Sequence, residues 1–100
     1  MKNPNYEISN KANADIEGIL EYTAEKFGTA QVVNYSCALK EIIQHIASRP
    51  ALGRNFTVLE GQVLYRYNFK AHVIFYYSTT TGIFIVRVLG SKMEFLRHLK

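Results

Sequence analysis

The chain has 100 residues, a formal net charge of +4, 48% hydrophobic and 20% charged residues, and one cysteine. Its length allows one domain, residues 1–100, because a second domain would be too small to bury a core of its own. The apolar content excludes disorder of the whole chain, and the single cysteine excludes a disulfide scaffold. No apolar run approaches the roughly 18 residues of a membrane helix. Without the apolar stretch of a secretory signal, we expect a cytoplasmic protein.

Charge is unevenly distributed along the chain. Residues 1–48 carry four basic and six acidic side chains, a net charge of −2. Residues 49–100 carry eight basic and two acidic side chains, a net charge of +6. The second half is therefore expected to attract an acidic partner, either nucleic acid or an acidic peptide. The alternative is a mildly basic surface that binds nothing.

The first elements are a short strand and an amphipathic helix. Apolar and polar residues alternate over 6–8, which predicts the strand. Ser9 or Asn10 is placed to cap the following helix, and apolar residues recur at helical spacing over about 11–27. Asp15 is expected near the start of this helix, where an acidic group interacts favourably with the helix dipole.

A second helix follows almost immediately. Gly28 is suited to end the first helix, Thr29 can cap the second, and Pro50 stops the second near residue 48. Each helix carries a stripe of apolar residues, and the break between them is short, which predicts a helical hairpin. We expect the core to contain Ile16, Leu20, Phe27, Tyr35, Leu39, Ile43, Ile46 and Ile85.

The pattern then changes to the period of β-strands. After a loop at 50–54, residues 63–69, 72–77 and 83–89 read as three strands with short connections, followed by a short helix within 93–99. This predicts an α+β fold of order β-α-α-β-β-β, with both helices covering one face of a small antiparallel sheet.

Arg87 interrupts the last and most apolar strand, where it is expected to share a face with Ile83, Ile85 and Leu89. The other face of the sheet, which carries Arg66, is expected to stay more open.

Motifs of known catalytic chemistry are absent from the sequence. The three histidines are scattered, without the spacing of a metal site, and there is no glycine-rich phosphate loop. We therefore expect no metal, no cofactor and no hydrolytic triad, whereas basic residues could still cleave RNA. What remains is a set of basic side chains that could bind carboxylate or phosphate: Arg54, Arg66, His72, Arg87, Lys92 and Arg97. For Arg66 and Arg87 the alternative is pairing within the protein.

Short motifs recur along the chain in a consistent order and spacing. They are Ala14-Asp15-Ile16 with Ile19 and Tyr22, Phe27-Gly28, Tyr35 with Leu39, Pro50-x-x-Gly53-Arg54, Tyr65-Arg66, His72-Val73-Ile74-Phe75-Tyr76, and Val86-Arg87-Val88-Leu89. Through them the chain resembles, from about residue 6 to residue 99, the ParE branch of the RelE/ParE toxin superfamily. The fold of that family is the one that the periodicity predicts.

The resemblance implies a toxin that halts growth until a ParD-like antitoxin covers it in a hetero-oligomer. ParE relatives act on DNA gyrase and stall it on DNA, without chemistry of their own. We expect the antitoxin to lay a disordered segment across the protein, with apolar anchors on the hairpin and acidic residues on the basic half. No membrane contact and no sequence-specific nucleic-acid binding are expected.

RelE relatives offer the alternative of messenger RNA cleavage on the ribosome. Their catalytic set consists of basic residues and commonly a tyrosine near the carboxyl end. In this chain Arg66 and Lys92 fall at basic positions, His72 stands where a hairpin arginine would be, and no tyrosine follows Tyr77. The incomplete set favours the non-enzymatic branch. A third possibility is an interaction module without toxicity.

Overall fold

The structure is a computed structural model that describes residues 5–99. Within this range the order is strand, helix, helix, four strands and a short terminal helix, with one turn of 3-10 helix before the second strand. The bounds are β1 Asn5–Ile8, α1 Asn10–Phe27, α2 Thr29–Ser48, the 3-10 turn Pro50–Leu52, β2 Arg54–Leu59, β3 Gln62–Phe69, β4 His72–Ser78, β5 Gly82–Gly90 and α3 Phe95–Leu99.

The strands form one sheet in the spatial order β1-β5-β4-β3-β2. Strands β2 to β5 run antiparallel to their neighbours, whereas β1 lies parallel to β5, with Asn5 opposite Gly82. The predicted α+β fold, with a helical hairpin, a sheet and a terminal helix, is confirmed. The sheet contains one strand more than predicted and one parallel pair, because residue alternation indicates a strand without indicating its partner.

The additional strand is β2, whose alternation is interrupted. Its pairing with β3 shifts register between Asn55 and Thr57, which makes Phe56 an extra, bulged residue. The polar pair Arg54-Asn55 opens the strand, so neither its start nor its middle follows the period of two on which the prediction depends. The predicted loop accordingly ends at Gly53.

The helical hairpin begins at a capping serine and turns at a glycine. The Ser9 hydroxyl accepts a hydrogen bond from the amide of Ala12 (3.0 Å) and donates one to the carbonyl of Val86 (2.7 Å). Gly28 adopts a positive φ of 88°, so it both ends α1 and precedes α2 directly. Thr29 is therefore the first residue of α2 rather than its cap. Within the described residues, no helix is long and apolar enough to span a membrane.

Two apolar clusters lie on opposite faces of the sheet. Alternate residues of β4 separate them: Ile74 and Tyr76 face the helices, while Val73 and Phe75 face the other side. The second cluster includes fully buried Leu64 and is covered in part by α3. The face expected to stay open thus has a small core of its own.

The predicted core residues are mostly found in the helix-side cluster. Ile16 and Leu20 are half-buried against it, and Phe27 was placed wrongly, since it is 68% exposed at the end of α1. The chain turns at Gly28 before the Phe27 ring can reach the sheet. The remaining five are buried: Tyr35, Leu39, Ile43, Ile46 and Ile85.

A bulge in β5 decides where its side chains point. Tyr76 pairs with Ile85 and Phe75 with Arg87, so Val86 is the additional residue. Alternation reverses at this point, and Ile85 contacts the helix-side cluster while Leu89 contacts the other one. The expectation that Arg87 shares one face with both residues is therefore wrong.

Tyr76 explains the glycine of the Pro50-x-x-Gly53 motif. Its buried hydroxyl donates to the carbonyl of Pro50 (2.7 Å) and accepts from the amide of Gly53 (2.8 Å). A Cβ on Gly53 would collide with this hydroxyl and with the backbone of Arg66. The motif therefore fixes the link between α2 and β2.

Replacing Leu39 by alanine is expected to lower the free energy of unfolding by about 2–5 kcal/mol, because the side chain is 4% exposed and its removal leaves a cavity. Val33→Ala, on the same helix but 54% exposed, is the matched control and should change stability by less than about 0.5 kcal/mol. Urea unfolding of both variants measures the difference. Equal losses would show that α2 does not bury the assigned face.

Candidate functional site

An apolar groove of about 660 Å³ opens between α1, the start of α2, the β3–β4 turn and the end of β5. Its size is within the range of binding sites for small ligands or for a few side chains of a partner. The groove is lined by Ala14, Asp15, Gly18, Ile19, Tyr22, Thr23, Phe27, Gln31, Tyr35, Lys70, Ala71, His72, Val88, Leu89, Gly90 and Met93.

On its α1 side, the groove is lined by small residues in the middle and by aromatic residues at one end. A Cβ on Gly18 would meet open space, so packing inside the protein does not require glycine at this position. Glycine inside a helix costs about 1 kcal/mol relative to alanine. Ala14, one turn earlier, is also small, while Tyr22 and Phe27 are 57% and 68% exposed. Another backbone can therefore approach α1 closely beside two exposed rings.

A tyrosine–histidine pair lines the groove opposite α1. The Tyr35 hydroxyl lies 3.1 Å from Nδ1 of His72. Burial raises the pKa of Tyr35 to about 12 and lowers the pKa of His72 below its usual value, so both groups are neutral near pH 7. The two neutral groups share one hydrogen bond, whose direction is set by the tautomer of the imidazole. His72, a predicted binding residue, thus belongs to the groove.

Asp15 closes one end of the groove through a bidentate ion pair. Its carboxylate accepts hydrogen bonds from Nε (2.7 Å) and Nη2 (2.8 Å) of Arg87 and from the amide of Val88 (3.0 Å). Nη1 of Arg87 donates to the carbonyl of His98 (2.8 Å). The hydrogen bond with Asp15 raises the pKa of Arg87, despite the opposing effect of burial.

These contacts change the expected roles of both side chains. Asp15 lies beyond the first turn of α1, so it serves as the partner of Arg87 rather than as a helix-start acid. Arg87, predicted to bind a partner, has its guanidinium engaged inside the protein, with the side chain 16% exposed. For Arg87 the structure thus contains the alternative, pairing within the protein.

Arg54 and Arg66 come together at the far edge of the sheet. They are direct partners across β2 and β3, so their side chains leave the same face. Both line a cleft of about 580 Å³ together with Leu52, Asn55, Phe56, Tyr67 and Asn68. Arg66 faces the second apolar cluster, on the side of the sheet opposite the helices, where its Cζ lies 5.7 Å from the Phe56 ring centre and 5.2 Å from that of Phe95.

The last two predicted binding residues lie near the carboxyl end. Lys92 is exposed in the turn after β5, and Arg97 is exposed on α3. Arg97 forms an ion pair with Glu94 (3.3 Å) in which both side chains are at least 75% exposed, so it contributes little stability. The six predicted residues therefore divide among the groove, the Asp15 pair, the cleft and this terminal segment.

Sequence reasoning missed the groove as a site. Its residues come from α1, α2, two strands and two turns, and most of them are ordinary apolar residues. One signal was available: Gly18 stands in the middle of a helix whose neighbouring residues otherwise favour helix. Tyr22, one turn later, gave a second indication of an exposed apolar surface.

Comparison with known proteins identifies the class. The family described as "ParE toxin of type II toxin-antitoxin system, parDE" matches residues 6–95. Toxin ParE1 of Caulobacter vibrioides is 31% identical over 94 residues, covering 94% of this chain and 96% of the relative. Toxin ParE1 of Mycobacterium tuberculosis is 32% identical over 95 residues, covering 94% and 96%. The chain therefore belongs to the ParE family of type II toxin–antitoxin toxins.

A solved structure supports the fold independently of close sequence similarity. It is titled "Chromosomal ParDE TA system from P. aeruginosa" and superposes with a TM-score of 0.71. The match covers 88% of this chain and 96% of that one, at 13% identity. The hairpin-on-sheet architecture is thus shared with a protein of very different sequence.

Asp15→Asn should lower the free energy of unfolding by about 2–4 kcal/mol, because it leaves a half-buried guanidinium without its counter-charge. Glu94→Gln removes the exposed ion pair instead and should cost less than about 1 kcal/mol. Chemical denaturation of both variants compares the two pairs. Similar small losses would mean that Asp15 does not hold α1 against β5.

His72 should make stability fall in mild acid. Since burial lowers its pKa in the folded protein, the unfolded chain takes up the proton first as the pH falls through about 6.5. Wild type is therefore expected to lose more unfolding free energy than His72→Gln between about pH 7 and about pH 5. Parallel pH profiles for the two proteins would contradict this assignment.

Proposed function

We propose that this ParE toxin acts in the cytoplasm by binding DNA gyrase, without catalysing a reaction, and that a ParD-like antitoxin neutralises it. Family membership supports the toxin role and carries the proposal. The antitoxin is proposed from the same family match and from the apolar groove, which remains uncovered in the isolated chain. Gyrase is proposed from the resemblance to the ParE branch.

The distribution of polar groups supports an inhibitor that binds rather than cleaves. Arg66 lies in the cleft on one face of the sheet, while His72 is neutral and bonded to Tyr35 on the helix side. Arg87 is occupied by Asp15. Among residues 5–99, these three side chains are therefore not placed to stabilise one phosphate and transfer protons to it.

The groove fits an amphipathic segment of the antitoxin. Its lining is largely apolar, and the small residues Ala14 and Gly18 allow a helical backbone to approach α1. Asp15 is neutralised by Arg87, whereas Lys70 forms no ion pair among the described residues. We therefore expect the segment to place apolar anchors in the groove and an acidic residue near Lys70.

A supercoiling assay with purified gyrase tests the target. The protein should inhibit supercoiling, and primer extension on messages from expressing cells should show no new cleavage sites. Cleavage within codons, with gyrase unaffected, would favour the ribosome-dependent nuclease. Expression without any slowing of growth and without an effect on gyrase would favour the non-toxic interaction module. Adding the cognate antitoxin should restore supercoiling.

Gly18→Gln tests the proposed antitoxin site. The new side chain enters open space and suits a helix better than glycine by about 0.5–1 kcal/mol, so the fold should be at least as stable. The same side chain fills the groove, and the affinity for the antitoxin should fall by about tenfold or more. Glu17→Gln, its exposed neighbour outside the groove lining, is the control. Unchanged affinity in a folded Gly18→Gln protein would place the antitoxin elsewhere.

A further inference from the structure

The cleft at the β2–β3 edge holds two like charges directly opposite each other. Arg54 and Arg66 are Cα partners across the two strands, and such a pair is destabilising when nothing neutralises it. Arginine stays protonated throughout the physiological pH range, so the repulsion cannot be relieved by loss of a proton. No carboxylate lines the cleft among residues 5–99. Solvent screens exposed Arg54 only in part, and a bound anion would neutralise the pair directly.

The Arg66 side chain is held in position before any ligand arrives. Its guanidinium lies over the rings of Phe56 and Phe95, and its Nη2 donates to Oδ1 of Asn68 (3.1 Å). With that oxygen occupied, Asn68 presents its amide NH₂ as a further donor. Arg54 is exposed and forms no ion pair among the described residues. The cleft therefore offers N–H donors from three side chains on two strands.

This donor set fits phosphate better than a carboxylate. A carboxylate is planar, and a single arginine fork satisfies both of its oxygens. The tetrahedral oxygens of a phosphate point in different directions and can accept from two opposed forks at once. We propose that the Arg54–Arg66 cleft binds a phosphate group of a nucleic-acid backbone, independently of base sequence.

The surroundings of the cleft suit a polyanion. Residues 49–100 carry a net charge of +6, which attracts nucleic acid over a distance longer than one contact. Phe95, which contacts Arg66, opens the short helix α3 that also carries exposed Arg97. This site is separate from the antitoxin groove.

Inorganic phosphate is the first probe. Amide NMR shifts of the purified protein should concentrate at residues 54–56 and 66–68, and glutarate at equal ionic strength should cause smaller shifts. Arg54→Gln should weaken phosphate binding by about tenfold, since charge-assisted hydrogen bonds are lost. Lys40→Gln is the control: it removes one positive charge from an exposed position on α2 and should leave the affinity for phosphate unchanged. Shifts centred elsewhere, or stronger for glutarate, would overturn the proposal.

Oligothymidine then tests the nucleic-acid backbone. Its binding should weaken with salt, and Arg54→Gln should reduce the slope of log K against log salt by about one. Oligonucleotides of different sequence should bind alike. If oligonucleotides bind no more tightly than inorganic phosphate, the nucleic-acid assignment is wrong. Because the purified protein is used without gyrase or antitoxin, a negative result leaves the proposed toxin function intact.

Discussion

The carboxylate of Asp15 connects three parts of the molecule that are far apart in sequence. From α1 it binds the guanidinium and the following amide of β5, and the same guanidinium reaches the carbonyl of His98 on α3. The bulge at Val86 interrupts the alternation of side chains along β5 immediately before Arg87. The side chains of Asp15 and Arg87 are 14% and 16% exposed, so water screens their attraction only in part. This contact therefore links the α1 side of the groove to β5 and, through Arg87, to α3.

The sheet separates two surfaces of different chemistry. On the helix side, the groove is largely apolar, and burial keeps its two inner titratable groups, Tyr35 and His72, neutral near pH 7. On the other side, Arg54 and Arg66 face solvent beside a cluster of aromatic rings. A partner of the groove needs apolar side chains, whereas a partner of the cleft needs negative charge. The two proposed ligands, an antitoxin segment and a phosphate, would therefore occupy separate faces of the sheet.

Local patterns were sufficient to predict much of this fold. The helices, the β3–β5 meander and the caps at Ser9 and Gly28 follow from periodicity and from residue conformational preferences. Strand β2 could not be predicted because its bulge breaks the alternation. The parallel partner of β1 could not be predicted because alternation does not encode pairing.

The candidate sites were less accessible to sequence reasoning than the fold. The predicted binding residues included both members of the cleft: Arg66 on a predicted strand and Arg54 at the end of a predicted loop. The partner of Arg87 is 72 positions away in the chain, and no periodicity connects it with Asp15. The groove is assembled mostly from common apolar residues of six separate segments, so it can be recognised only after these segments are packed together.

The parallel pairing of the first strand with the last has a consequence for synthesis. Both helices leave the ribosome before any of β2 to β5, and β1 acquires its hydrogen-bonded neighbour only when Gly82–Gly90 has emerged. Contacts between such distant segments form slowly, and until then the apolar stripes of the hairpin have no sheet to cover them. A nascent chain therefore lacks the finished groove until β5 has emerged. A partner that needs the finished groove therefore meets its binding surface only on a nearly complete polypeptide.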